Sequence, residues 1–173
     1  MILTKRLLLR PMQKTDAEDL YQVFSDPAVM QYFDNRHRDI ATTRTWVAAS
    51  VDAPRHETRE FVLVQKDRVI GKAGIWKRPE LGFLLHRSYW RQGLMREALA
   101  RLIPYFFTDM ALEHITADVD PRNAASLGLL EQLGFKETHR ASNTIEIEGA
   151  WCDSVYLTLS KTDGKPQGVA QSS

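Results

Sequence analysis

Between residues 59 and 106 the apolar period changes once, from two to the helical value of about 3.6, across a short loop that ends at Gly93. Residues 59–65, 69–76 and 81–85 alternate, and only Lys66-Asp67-Arg68 and Lys77-Arg78-Pro79 separate them, which predicts an antiparallel meander. Leu94, Met95, Ala98, Leu99, Leu102, Ile103 and Phe106 then recur at helical spacing, with Pro104 expected to remove one hydrogen bond and kink the helix. A meander feeding into a long amphipathic helix predicts an α/β fold with a mixed, mostly antiparallel sheet flanked by helices.

The remaining elements extend this pattern at both ends. Residues 3–10 alternate as a first strand, with Leu7 and Leu9 on one face and Pro11 ending it. A helix is expected from Thr15, where Thr15-Asp16-Ala17-Glu18 has the form of a capping box and Ala17, Leu20, Tyr21 and Phe24 supply the buried stripe. A second helix is expected over residues 40–51 with Asp39 as its cap. Beyond the long helix come a strand over 115–119 and a helix over 123–133. Gly134 is its left-handed stop, and Phe135 packs back onto its last turn. Two strands, 144–148 and 154–159, complete the fold. Residues 161–173 are rich in Gly, Ser, Gln and Lys and read as a disordered tail, leaving a single domain over residues 1–160.

Charge narrows the classes of partner. Lys plus Arg number 23 against 22 Asp plus Glu, a formal charge of +1, so the chain is no bulk polycation that grips nucleic acid or an anionic membrane. The single cysteine, Cys152, forms no internal disulfide, and no Cys/His spacing resembles a zinc site, which fits a reducing compartment. Charge interrupts the N-terminus before a signal-peptide core can form, and no stretch approaches the ~18 apolar residues of a membrane span, so a cytoplasmic location is expected.

The chemistry concentrates in residues 80–98, a strand, a loop and a helix start. Unpaired N–H groups at such a helix start converge on one spot, where the helix dipole contributes about half a positive charge, so an anion such as pyrophosphate can sit there. Gly93 allows close backbone approach, and Arg91 and Arg96 add positive charge. The plainer reading is a turn glycine beside a solvated face. No Gly-Lys-Ser/Thr follows, as in a Walker loop, and one glycine does not make a dinucleotide fingerprint.

Taken in order, several short motifs resemble the GNAT acyl-CoA-dependent N-acyltransferases, within them the branch of ribosomal-protein N-terminal and spermidine acetyltransferases. They are Leu3-Thr4-Lys5-Arg6-Leu7-Leu8-Leu9-Arg10-Pro11, Val69-Ile70-Gly71, Glu80-Leu81-Gly82-Phe83, Tyr89-Trp90-Arg91-Gln92-Gly93, Asp120-Pro121-Arg122-Asn123-Ala124-Ala125-Ser126 and Leu133-Gly134-Phe135. The resemblance implies acetyl-CoA as co-substrate, entering as a wedge where the sheet splits beside residues 81–85. It implies that Trp90-Arg91-Gln92-Gly93-Leu94-Met95, continuing to Arg96, is the pyrophosphate loop, with Met95 in place of the family's final small residue. It further implies that Phe83, Leu84 and Leu85 bind the pantetheine arm through their backbone, that Gly82 sits at a splaying bulge, and that Asn123 holds the cofactor from the opposite side. Asn123 also reads as a plain N-cap.

An acyl transfer to an amine needs a base, a donor for the developing oxyanion, and help for the leaving thiolate. Glu80 matches a carboxylate on the substrate side of the strand and is the candidate base, acting through water; the alternative is a solvent-facing strand glutamate. A backbone N–H near Leu84 is the expected oxyanion donor. Many family members place a Tyr seven residues after the asparagine; here that position is Leu130, and Ser126, one turn earlier, matches the serine of the ribosomal branch. Ser126 also suits a capping role.

Cys152 reads as a packed thiol, His86 as a strand-end surface histidine, and the four tryptophans as core or pocket wall. The region 29–38, with Met30, Tyr32, Phe33 and Arg36, lies where the family shapes its acceptor site. The expected activity is direct acetyl transfer to a primary amine, first a peptide N-terminal α-amine, by a monomer or homodimer. A polyamine, an aminoglycoside and a non-catalytic CoA sensor stand as alternatives.

Overall fold

The computed structural model describes residues 1–162. The expected tail therefore lies, from residue 163 onward, outside the described residues. The described residues form one eight-stranded sheet in the order β1-β2-β3-β4-β5-β6-β8-β7, with four α-helices. The strands are β1 (Ile2–Leu3), β2 (Leu8–Pro11), β3 (Arg59–Gln65), β4 (Arg68–Lys77), β5 (Glu80–Leu85), β6 (His114–Val119), β7 (Lys136–Ile147) and β8 (Ala150–Ser160). The helices are α1 (Ala17–Phe24), α2 (Ile40–Asp52), α3 (Leu94–Asp109) and α4 (Ala124–Gln132). All neighbouring strands are antiparallel except β5 and β6. Among the described residues no helix is long and apolar enough to cross a membrane.

The meander and the long helix form as the periodicity predicts, and α3 continues through Pro104. A buried row from Leu94 to Phe107 packs α3 on one face of the sheet, against Leu9, Phe61, Leu63, Ile75 and Ile115 among others. Helices α1 and α2 cover the other face through Leu20, Val23, Phe24 and Val47, which meet Val62, Val69 and Leu84. Asp39 caps α2 by accepting the Thr42 N–H at 2.7 Å. Gly134 is left-handed at φ 93°, and the Phe135 N–H closes back on the Leu130 carbonyl at 3.0 Å.

Four expectations change. The first strand is two, because Thr4 turns the chain: its N–H donates to the Leu7 carbonyl and its hydroxyl oxygen accepts the Leu7 N–H. The start of α1 is preceded by a 3₁₀ turn, Lys14–Asp16. There Asp16, not Glu18, reaches back, accepting the Gln13 N–H at 2.8 Å and the Arg10 guanidinium at 2.8 and 2.6 Å. Glu18 pairs with Arg44 on α2 instead. The last two strands are a long hairpin, since β7 is largely exposed and shows little of the burial alternation that reveals a strand.

The fourth change concerns Gly82. The irregularity between β4 and β5 lies between Ile75 and Lys77, so Trp76 is the bulged residue, while Gly82 pairs in register with Gly74. Gly82 makes room instead. A Cβ there would stand 3.2 Å from both the Lys72 Nζ and the Trp76 ring, and one at Gly74 would stand 2.5 Å from Glu60 Oε2. Over these two glycines lies a buried ion pair, Lys72 Nζ to Glu60 Oε1 at 2.8 Å, with the ammonium 5.3 Å from the Trp46 ring. Burial pushes the Glu60 carboxyl up against the opposing pull of Lys72.

Candidate active site

The sheet splits between β5 and β6, which share a single register pair, Glu80 with Thr116. The direction of the β5 backbone follows from the ladder. The His86 N–H donates to Ile70 on β4, so by the two-residue period Leu84 also turns its N–H toward β4, while Phe83 and Leu85 turn theirs toward the split. Leu84 therefore cannot offer the N–H expected of it at the reacting centre; Phe83 and Leu85 can. The Leu85 carbonyl is taken by the Trp90 indole N–H at 2.8 Å. All three residues border a cleft of about 770 Å³ at the split.

One end of this cleft is the loop before α3. Gly93 is its N-cap at φ 72°, ψ 10°, a conformation that favours glycine, and Arg91 is also left-handed at φ 58°. These two residues turn the chain so that α3 starts with its first-turn amides at the cleft wall, where they have no helical partner. Arg91, Gly93, Leu94, Met95 and Arg96 line the cleft. Met95 is only 7% exposed and its side chain belongs to the core, so the departure from a small residue there leaves the phosphate end open. Gln92 departs from expectation. It does not border the cleft: its amide donates to the Ser88 carbonyl at 3.1 Å, and its own carbonyl accepts from Arg6 at 2.7 Å.

The opposite wall is α4. Asn123 caps it, accepting the Ser126 N–H at 3.2 Å, and also lines the cleft, so the structure bears out its capping role. Ala124, Ala125, Ser126 and Gly128 keep this wall thin, and Gly128 has nothing within 4 Å of its missing Cβ. A glycine inside a helix costs about 1 kcal/mol against alanine, a signal of close approach that sequence reasoning passed over. Leu130 is fully buried in the core and takes no part.

A second, smaller hollow of about 90 Å³ opens on the far side of Phe83. Tyr32, Phe33, Phe83, Asn123 and Ser126 border both spaces, while Glu80, Trp76, Asp118 and Asp120 border the small one. Burial raises the Glu80 carboxyl above its ordinary value; a hydrogen bond with the Trp76 side chain opposes this and the nearby Asp118 reinforces it. The expected base is thus half-buried and more basic than a free carboxylate. Asp120 differs. It accepts the Arg122 guanidinium at 2.9 and 2.6 Å and is held below the usual carboxylate range by it. Asp118 carried no sequence signal, because a lone acid in a strand has many uses.

Other residues stand elsewhere. His86 caps the 3₁₀ turn Arg87–Tyr89 by accepting the Ser88 N–H and lines neither space. Cys152 is buried beside Arg122, whose Nη2 lies 3.1 Å from its sulfur. Trp76 and Trp90 are pocket walls as expected, but Trp151 is neither core nor wall, being 61% exposed on β8.

Residues 6–136 match the model of the acetyltransferase (GNAT) domain. The chain is 32% identical over 170 residues to the uncharacterized N-acetyltransferase p20 of Bacillus licheniformis, covering 92% of this chain and 96% of that one. It is 34% identical over 86 residues to the ribosomal protein uS5-alanine N-acetyltransferase of Escherichia coli, covering 50% of this chain and 44% of that one. Its fold superposes at a TM-score of 0.81, with 18% identity and coverage of 92% and 98%, on the spermidine N-acetyltransferase of Vibrio cholerae solved with CoA and spermine. A split sheet, a glycine-capped helix start at one end of the cleft and a half-buried carboxylate near the other agree with these likenesses: the chain belongs to the GNAT acetyltransferase family and is an N-acetyltransferase that uses acetyl-CoA.

Proposed function

We propose that residues 1–160 form the catalytic domain and transfer acetyl directly to a primary amine, first of all a protein or peptide N-terminal α-amine. The observation that carries this reading is the meeting of two hollows at Phe83, Asn123 and Ser126, with Glu80 in the smaller one. Acetyl-CoA supplies the activated acetyl carbonyl from the larger cleft. Its residues fit that molecule: the first-turn amides of α3, Arg91 and Arg96 take the pyrophosphate, and the backbone of Phe83 and Leu85 takes the amide-bearing arm.

The chain's own groups then have distinct tasks. Glu80 accepts a proton from the incoming ammonium through water, because an amine attacks only with its lone pair free. Its raised pKa suits the task, since a base gains proton affinity as its own pKa rises. The Leu85 or Phe83 N–H receives the charge that develops on the carbonyl oxygen. Ser126 stands at the junction and steers a proton or water toward the departing sulfur, which is itself a tolerable leaving group with a thiol pKa of ~8.5.

The preference for an α-amine rests on the likeness to the uS5-alanine enzyme and on chemistry. An α-amine has a pKa of ~7.7–8.0 against ~10.4 for lysine, so freeing its lone pair at pH 7 costs about 3 kcal/mol less. The small hollow also suits a terminal amine more than a long polycation. Of its three carboxylates, Asp120 is neutralised by Arg122, leaving Glu80 and Asp118. Thiol release from acetyl-CoA, measured on peptides with free or acetylated N-termini, on spermidine and on an aminoglycoside, tests the reading. Turnover is expected only with free N-termini. Turnover on spermidine alone would move the acceptor class to polyamines, and tight CoA binding without release on any amine would make the protein a sensor.

A further inference from the structure

The turn between β1 and β2 is strapped to the start of α3. Glu97, in the first turn of α3, receives three donors from that turn: the Thr4 hydroxyl at 2.6 Å, the Arg6 backbone N–H at 2.8 Å and Arg6 Nε at 2.7 Å. Arg6 Nη1 continues to the Gln92 carbonyl at 2.7 Å, and its other terminal nitrogen lies 3.7 Å from where a Gly93 Cβ would be. Arg6 stands behind the loop, not in the cleft. Four bonds converge here from a segment nearly ninety residues away, as the separation of 86 between Arg6 and Gln92 shows.

We infer that Arg6 is the positioning residue of the phosphate loop. A trans peptide is planar, with its C=O and the following N–H pointing in opposite directions. Holding the Gln92 carbonyl behind the loop therefore turns the Gly93 N–H away from Arg6, toward the cleft that Gly93 lines. Left-handed glycine rotates freely without such a hold, and an amide that must be oriented at the moment of binding costs affinity. Arg6 has a second effect. Glu97 lies one turn from the phosphate position and would repel an anion there. Burial pushes its pKa up, but the Thr4 and Arg6 bonds outweigh burial, and the guanidinium balances the resulting charge. Only a planar fork reaches the carbonyl and the carboxylate together, which lysine does not do.

This inference rests on residues 90–96 being the pyrophosphate loop. On the full chain, Arg6→Ala is expected to weaken CoA by about tenfold to a hundredfold in calorimetry, the range of one lost charge-assisted hydrogen bond. KM for acetyl-CoA rises with kcat held, and kcat/KM with acetyl-pantetheine, which lacks the diphosphate, does not move. Arg6→Lys is intermediate, and carries the test if the alanine variant fails to fold. Unchanged CoA affinity in either variant overturns the inference, as does an equal loss with acetyl-pantetheine, which would mark a general structural role. Gly93→Glu separates the two readings: if it too binds CoA normally, the loop itself is misplaced.

Discussion

The two ends of the site are built from different materials. The proposed phosphate end consists of backbone: first-turn amides of α3 and a left-handed glycine, with Arg6 bonded to the Gln92 carbonyl behind them. The proposed acceptor end consists of side chains: Glu80, Trp76, Asp118, Tyr32 and Phe33, from strands and a loop distant in sequence. A backbone site depends on conformation, so it is tolerant of side chains that point away and intolerant of anything that alters φ or adds charge. A side-chain site is the reverse. Its geometry survives substitution, but its chemistry changes with each atom.

The largest effect is expected where the backbone end meets a new charge. Gly93→Glu puts an L-residue at φ 72° and a carboxylate at the phosphate position, and calorimetry should show CoA binding abolished. At the other end, Glu80→Gln keeps shape and removes the proposed base. A fall in kcat of about a hundredfold to ten-thousandfold, with KM for acetyl-CoA little changed, is the expected pattern. In the parent enzyme the acid limb of kcat/KM lies above the ordinary carboxylate value of 4.5, because burial raises the Glu80 carboxyl, and activity is lost as pH falls through it. A limb at or below 4.5, or one that persists in Glu80→Gln, would assign the base elsewhere.

The smallest functional effect sharpens the contrast further. Met95 gives the site its backbone and the core its side chain, so Met95→Ala is expected to cost about 2–5 kcal/mol of stability by urea titration while CoA affinity of the folded fraction stays the same. A large loss of affinity instead would mean that the side chain, not the amide, faces the phosphate.

The same contrast explains what could be read in advance. The loop at Gly93 and the cap at Asn123 are local features: a glycine or an asparagine where the hydrophobic period changes has one main structural use. The buried pair of Lys72 and Glu60 is not legible in that way, because each looks like an ordinary polar residue in a strand and only the register brings Val62 opposite Lys72 and Glu60 opposite Gly74. Arg6 appears in the sequence as part of a motif without a task; its bonds to Glu97 and Gln92 exist only because the β1–β2 turn docks on α3. Gly82 was assigned a bulge, which belongs to Trp76, because a glycine in a strand signals a departure without saying whether the backbone bends or a neighbour needs the space.

By itself the sequence determined the succession of the meander and the helices through hydrophobic period, and the turn before α3 through a glycine at a helix start, since both are consequences of neighbours along the chain. Tertiary structure alone decided which β5 amides face the split, which of three carboxylates is half-buried yet unpaired with arginine, and which arginine bonds the Gln92 carbonyl behind the loop. Each of those depends on strand register or on docking across tens of residues, and distances of that kind are set by packing rather than by order in the chain.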